Sequence, residues 1–197
     1  SFVLTLAGED VTPPQERGYV LYVRGIAPLP GTEHTAQEWA EETFPVILRD
    51  LSSLRPYGQA YFSYRYRSGG GYGGPNARYT GQETRQPLAT SAAALDQQIR
   101  GLINEWQESS PGTLPEIVII AHSLGGAVTA LWASEAREEE LAAVRTVFTL
   151  DSPVAGSSYH WFDEADNDLR NQNVIDKMAH GATRLDFVQV GNFNDLI

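Results

Sequence analysis

The 197 residues contain no cysteine. Disulfides, thiolate nucleophiles and cysteine-based zinc sites are therefore excluded, although the absence selects no compartment. Lysine is nearly missing too, Lys177 standing beside thirteen arginines. No apolar run approaches the roughly 18 residues of a membrane-spanning helix; the longest candidate, Ile117 to Ala121, is of strand length. The first residues lack the basic region, apolar core and cleavage site of a signal peptide. Because the chain opens on Ser1, we expect that something upstream is missing from it.

Positive charge is scarce as well. A net charge of −11 excludes the clustered Lys and Arg that phosphate neutralisation demands, so no nucleic-acid partner is expected. It also disfavours landing on anionic membranes. With 42% hydrophobic and 20% charged residues, the chain has the composition of a soluble globular protein, cytoplasmic or secreted after processing. Its length suits one domain over residues 1–197.

The hydrophobic patterning alternates between two periods. Gly18 to Gly25 reads as a buried strand running into a turn. Thr35 to Leu54 has helical spacing, with Pro45 expected to kink or restart it. Ala60 to Arg67 reads as a strand, followed by the glycine-rich loop Ser68 to Pro75. Pro87 then opens a long amphipathic helix through Trp106. Glu116 to Ala121 is an almost continuous apolar strand, the kind found in parallel sheets covered on both faces. A helix from Ser123 to about Glu139 and strands Val144–Leu150 and Leu185–Val190 complete the pattern, with a short helix near Leu169 to Ala179. This alternation predicts a doubly wound, mostly parallel α/β sheet. The segment 155–184 exceeds a plain crossover and is a candidate cap or lid over a substrate.

The chemistry concentrates at Ala121-His122-Ser123-Leu124-Gly125-Gly126. A small-x-Ser-x-Gly pattern arises by chance in roughly one chain of this length in ten, so the pattern alone decides little. Its placement decides more, because it falls where a buried strand turns into a helix. A nucleophilic serine needs a sharp turn that exposes its hydroxyl, and small residues at 121 and 125 remove colliding side chains. At the helix N-terminus the backbone N–H of Leu124 is free to hold an oxyanion.

These residues resemble the nucleophile elbow of the α/β-hydrolase superfamily, in particular its lipases and esterases, with Ala121 where glycine is commoner. The resemblance runs from about Gly18 to Ile197 and implies an ester- or lipid-cleaving serine hydrolase without a cofactor or metal. It assigns Ser123 as nucleophile and, by analogy with the loop after an early strand, the N–H of Ile26 as second oxyanion donor. Arg24 has a plainer use, pairing with an acid near the strand end. The triad acid is expected at Asp195, after the last strand, with Asp151 as the rival. The base should follow the acid, yet the chain stops two residues after Asp195. The expectation is therefore that the histidine lies beyond Ile197 and that the fold's C-terminal elements are absent from this chain. His122 is expected to orient or pack, His34 comes too early, and His160 and His180 fall in the presumed cap. Thioesterases, amidases, acyltransferases and non-catalytic binding proteins share the same frame. The glycine-rich loop lacks the spacing and lysine of a phosphate loop. The run Asp163 to Asp168 lacks the glycine and closing glutamate of a calcium loop, and reads as a solvated helix start.

Overall fold

A computed structural model of the chain describes residues 17–26, 33–47, 57–66, 77–156 and 164–190. Strands β1 (Gly18–Val23), β2 (Tyr57–Tyr61), β3 (Glu116–His122), β4 (Val144–Leu150) and β5 (Phe187–Val190) form one sheet, in the order β2-β1-β3-β4-β5. Every neighbouring pair is parallel. The helices between them are α1 (Ala36–Thr43), α2 (Leu88–Ser109), α3 (Leu124–Glu135), α4 (Glu138–Ala143), α5 (Glu164–Arg170) and α6 (Gln172–Arg184). The alternating pattern in the sequence thus resolves into the expected parallel α/β sheet.

The near-continuous apolar strands follow from coverage on two faces. Leu21, Val23, Ile117, Ile119 and Ala121 enter the large core with residues of α2 and α3. Val20, Tyr22 and Ile120, at the alternate positions, pack with Ala40 of α1 and with Phe44 just beyond it. Helix α1 starts in a capping box, Thr35 Oγ1 accepting from the Glu38 N–H and Glu38 Oε2 accepting from the Thr35 N–H at 3.1 and 2.7 Å. It stops at Thr43, and helical structure resumes at 45, the proline position that predicted an interruption.

Three elements depart from the sequence reading by more than a couple of residues or by a break. Strand β2 is Tyr57–Tyr61, not Ala60–Arg67. The ladder ends at Tyr61 because the buried Gln98 of α2 takes over its bonding: Nε2 donates to the Tyr61 carbonyl and Oε1 accepts from the Ser63 N–H, at 2.7 and 3.1 Å. The helix predicted from Ser123 to Glu139 breaks at Ala136 into α3 and α4. No glycine or proline marks that break. Arg184 makes it, its Nη1 donating to the carbonyls of Ala133, Ser134 and Ala136 at 2.8, 3.2 and 3.0 Å. The short helix near Leu169 to Ala179 is two helices, α5 and α6, joined at Asn171, whose side chain accepts from the Asn173 N–H.

The acidic run also has a defined job. Asp168 Oδ2 accepts from the Leu88 N–H at 2.7 Å, capping the start of α2 from eighty residues away. Helix α6 packs along α3 so closely that a Cβ on Gly181 would run into the Ala130 carbonyl. Of the segment 155–184, then, α6 lies against the elbow helix, while residues 157–163, with His160, are outside the described residues.

Helices α2 and α4 are joined by a carboxylate that is 1% exposed. Glu140 Oε1 accepts from Arg100 Nε at 2.7 Å and from Arg137 Nε at 2.6 Å, and its Oε2 accepts from the Arg137 N–H at 2.8 Å. Removing it strips the cap of α4 and takes the shared acceptor from Arg100 and Arg137, while Arg100 keeps Asp96 at 2.8 Å. Glu140→Ala should therefore lower stability by about 2 kcal/mol, read from denaturant midpoints at unchanged slope.

Candidate active site

The strand order creates the crevice. From β1 the chain crosses to β2 on one side, whereas β3 pairs with β1 on the other. The chains leaving the carboxyl ends of β1 and β3 therefore part at a topological switch point, where open α/β sheets hold their ligands. Residues Arg24 to Ile26 leave β1 there, and Ser123 leaves β3, with Val23 and Ala121 in register.

Ser123 has φ 52° and ψ −128°, a region that L-residues occupy only under constraint. Its N–H donates to the Leu150 carbonyl at 2.9 Å, tying the turn to β4. Leu124 is the first residue of α3, so its N–H has no intrahelical acceptor. Two glycines allow the close approach. A Cβ on Gly25 would lie 2.7 Å from Ser123 Cβ and 2.8 Å from the Leu124 nitrogen, and one on Gly125 would collide with the Val23 carbonyl. The β1 loop thus runs directly against the elbow, and the Ile26 N–H is one residue beyond that contact.

Around this contact the side chains are fixed by pairing. The Arg24 guanidinium lies over the Trp39 ring at 4.2 Å from its centroid and reaches Glu42 at 3.5 Å, the acid pairing anticipated for it. The Arg24 carbonyl accepts from the Tyr64 hydroxyl at 2.7 Å. Sequence reasoning missed Tyr64, counting it as a strand residue; nothing local signals a bond across forty positions.

The other candidates are placed as follows. Asp151 stands at the end of β4, next to the elbow, and with Ser123 is one of two non-glycine residues with positive φ among the described residues, at 45°. His122 packs edge-on against Phe44, ring centroids 6.1 Å apart, on the α1 side of the sheet. Burial holds its pKa below the ordinary value; the Asp151 charge opposes this and Arg24 reinforces it. His34 packs on Trp39 with ring centroids 4.3 Å apart and planes tilted by 44°, and His180 is exposed on α6. Among the described residues no histidine hydrogen-bonds to Ser123, and no group of His, Asp and Glu is arranged to hold a metal. No helix among them is long and apolar enough to cross a membrane. Asp195 and the glycine-rich loop lie outside the described residues.

A five-stranded parallel sheet with a strained serine between strand and helix is the frame of the α/β-hydrolase superfamily, a serine-hydrolase-type fold. Within it, the profile of the PGAP1-like alpha/beta domain matches residues 76–189, more than half of the chain, and the chain belongs to that family. No curated protein matches. Among solved structures the fold is similar to that of Bacillus licheniformis lipase BlEst2 in its mature form, with a TM-score of 0.55 and 13% identity over 92% of this chain and 70% of that one. A cutinase-like protein from Cryptococcus sp. is similar at a TM-score of 0.48 and 15% identity, over 91% of this chain and 78% of that one.

The setting of His122 has a measurable consequence. With its folded pKa below the ordinary 6.5, the unfolded chain binds more protons as pH falls through 6.5, so stability is lost on acidification and recovered above it. Between pH 7 and 5, His122→Gln should lose less stability than the wild type, measured by thermal unfolding at each pH.

Proposed function

We propose that the protein is a serine hydrolase of carboxylic esters that works through an acyl-enzyme on Ser123. The observation that carries this reading is the strained backbone of Ser123 at the switch point, with the β1 loop against it. A turn of this kind pushes the hydroxyl out of the sheet while leaving the Leu124 N–H free beside it. In the proposed reaction, Ser123 Oγ attacks the ester carbonyl as a histidine outside the described residues takes its proton. The N–H groups of Leu124 and Ile26 receive the developing oxyanion. The same histidine then protonates the leaving alcohol, next takes a proton from the water that attacks the acyl-enzyme, and returns it to Ser123 Oγ as the acid is released. Asp195 orients the imidazole. No cofactor or metal takes part.

Asp151 supports a second assignment of the acid. It closes β4 beside the elbow in a conformation that costs energy, as functional residues often do. The likeness to a lipase supports an ester or lipid substrate, and p-nitrophenyl esters of increasing chain length will rank the acyl preference.

A fluorophosphonate probe should label the full protein, and Ser123→Ala should abolish labelling; equal labelling of the variant ends the proposal. Of Asp195→Asn and Asp151→Asn, the one that replaces the true acid should lower kcat by about 10⁴-fold, as when an acid partner fixes the imidazole tautomer. The other should leave kcat within an order of magnitude.

A further inference from the structure

The Arg24 residue is gripped from two directions. Its side chain is stacked on Trp39 and reaches Glu42, and is only 11% exposed. Its carbonyl accepts from Tyr64 Oη at 2.7 Å. Tyr64 itself is 1% exposed, its ring held between Phe62 and Tyr79 at centroid distances of 4.8 and 5.5 Å. Burial raises its hydroxyl well above the ordinary pKa, so it stays a donor throughout the working pH range. The turn that carries it is pinned in turn: Gln98 accepts from the Ser63 N–H, and Gln86 Nε2 donates to the Tyr64 carbonyl at 3.4 Å.

The next residue after Arg24 is Gly25, which touches the elbow and has the widest torsional freedom of any residue type. A planar peptide links the Arg24 carbonyl to Gly25, so fixing that oxygen fixes the plane on one side of the glycine. We propose that Tyr64 is a positioning residue for the second oxyanion donor: through the Arg24 carbonyl it holds the Gly25 hinge so that the Ile26 N–H is aimed before substrate arrives. This rests on the esterase reading above. Preorganisation of this kind matters because a donor that must reorient during the reaction gives back much of what it contributes. Tyr64 touches neither substrate nor Ser123; its whole effect passes through one backbone oxygen.

Tyr64→Phe keeps the buried ring and deletes the single hydroxyl. Tyr79→Phe is the matched control, because the Tyr79 hydroxyl is buried beside it with no hydrogen-bond partner among the described residues. Tyr64→Phe should lower kcat on p-nitrophenyl butyrate about tenfold with KM within twofold, a smaller loss than deletion of an oxyanion donor itself. It should also shrink the preference for that ester over its thiono (C=S) analogue, since sulfur is a weak acceptor and profits little from an aimed N–H. The backbone order parameter of the Ile26 amide, read by NMR relaxation, should fall from about 0.85 toward about 0.6, and Tyr79→Phe should match the wild type in every reading. An unchanged order parameter at Ile26, or a fall in kcat with an unchanged oxygen-to-sulfur preference, overturns the proposal. A wild-type chain inert to esters, with the Ile26 order parameter still lowered in Tyr64→Phe, overturns the esterase reading instead and leaves the clamp as a purely structural device.

Discussion

Everything at the candidate site depends on the parallel pairing of β1 with β3. These strands are adjacent in the sheet but 98 residues apart in sequence at every paired position, and their connections leave in opposite directions. That divergence opens the only kind of gap a parallel sheet offers at its carboxyl edge. Gly25 and Gly125 then close it to backbone contact, each lying where a Cβ would meet the opposite chain. The serine, the Leu124 amide and the β1 loop are neighbours because two strands are in register.

Around that pair, side chains repeatedly stand in for the backbone ladder. Gln98 ends β2 by taking the bonds of Tyr61 and Ser63. Asp168 supplies the cap that Pro87, lacking a side-chain acceptor, denies to α2. Arg184 collects three carbonyls where α3 stops. Tyr64 holds the carbonyl of Arg24. Each satisfies a buried backbone group whose desolvation would otherwise cost about 1–3 kcal/mol. All four lie on elements other than the ones they finish, so they also join layers of the fold to one another.

That division explains what was legible in the residues. Strand and helix identities, the parallel sheet and the place of Ser123 are written in local periodicity and in a strand-to-helix junction, both visible within a dozen positions. The break at Ala136, the end of β2 and the clamp on Arg24 depend on partners 48, 37 and 40 residues away, and no local pattern encodes them. Tyr64 was the clearest loss. In sequence it is one aromatic in a run that favours β structure, and only the turn at Ser63 to Tyr66 turns its hydroxyl toward the β1 loop. Arg24 was read better, because an arginine at a strand end needs an acid and Glu42 provides it.

The two strained residues share one physical arrangement. Ser123 and Asp151 each follow the last residue of a strand, each has positive φ, and each costs on the order of 1–3 kcal/mol. In both, the N–H crosses to the next strand: Ser123 to the Leu150 carbonyl, and Asp151 to the Val190 carbonyl, at 2.9 and 3.1 Å. The strain in the elbow is thus held by the end of β4, and the strain at the end of β4 by β5. A single such bond, net about 1 kcal/mol, does not cover the cost of one strained residue. The remainder has to come from burial of the strands themselves, Ile119, Ala121 and Val147 being wholly enclosed. The conformation of Ser123 therefore depends on the sheet as far as its last strand, although the residues that touch it belong to the β1 loop, β3, α3 and β4.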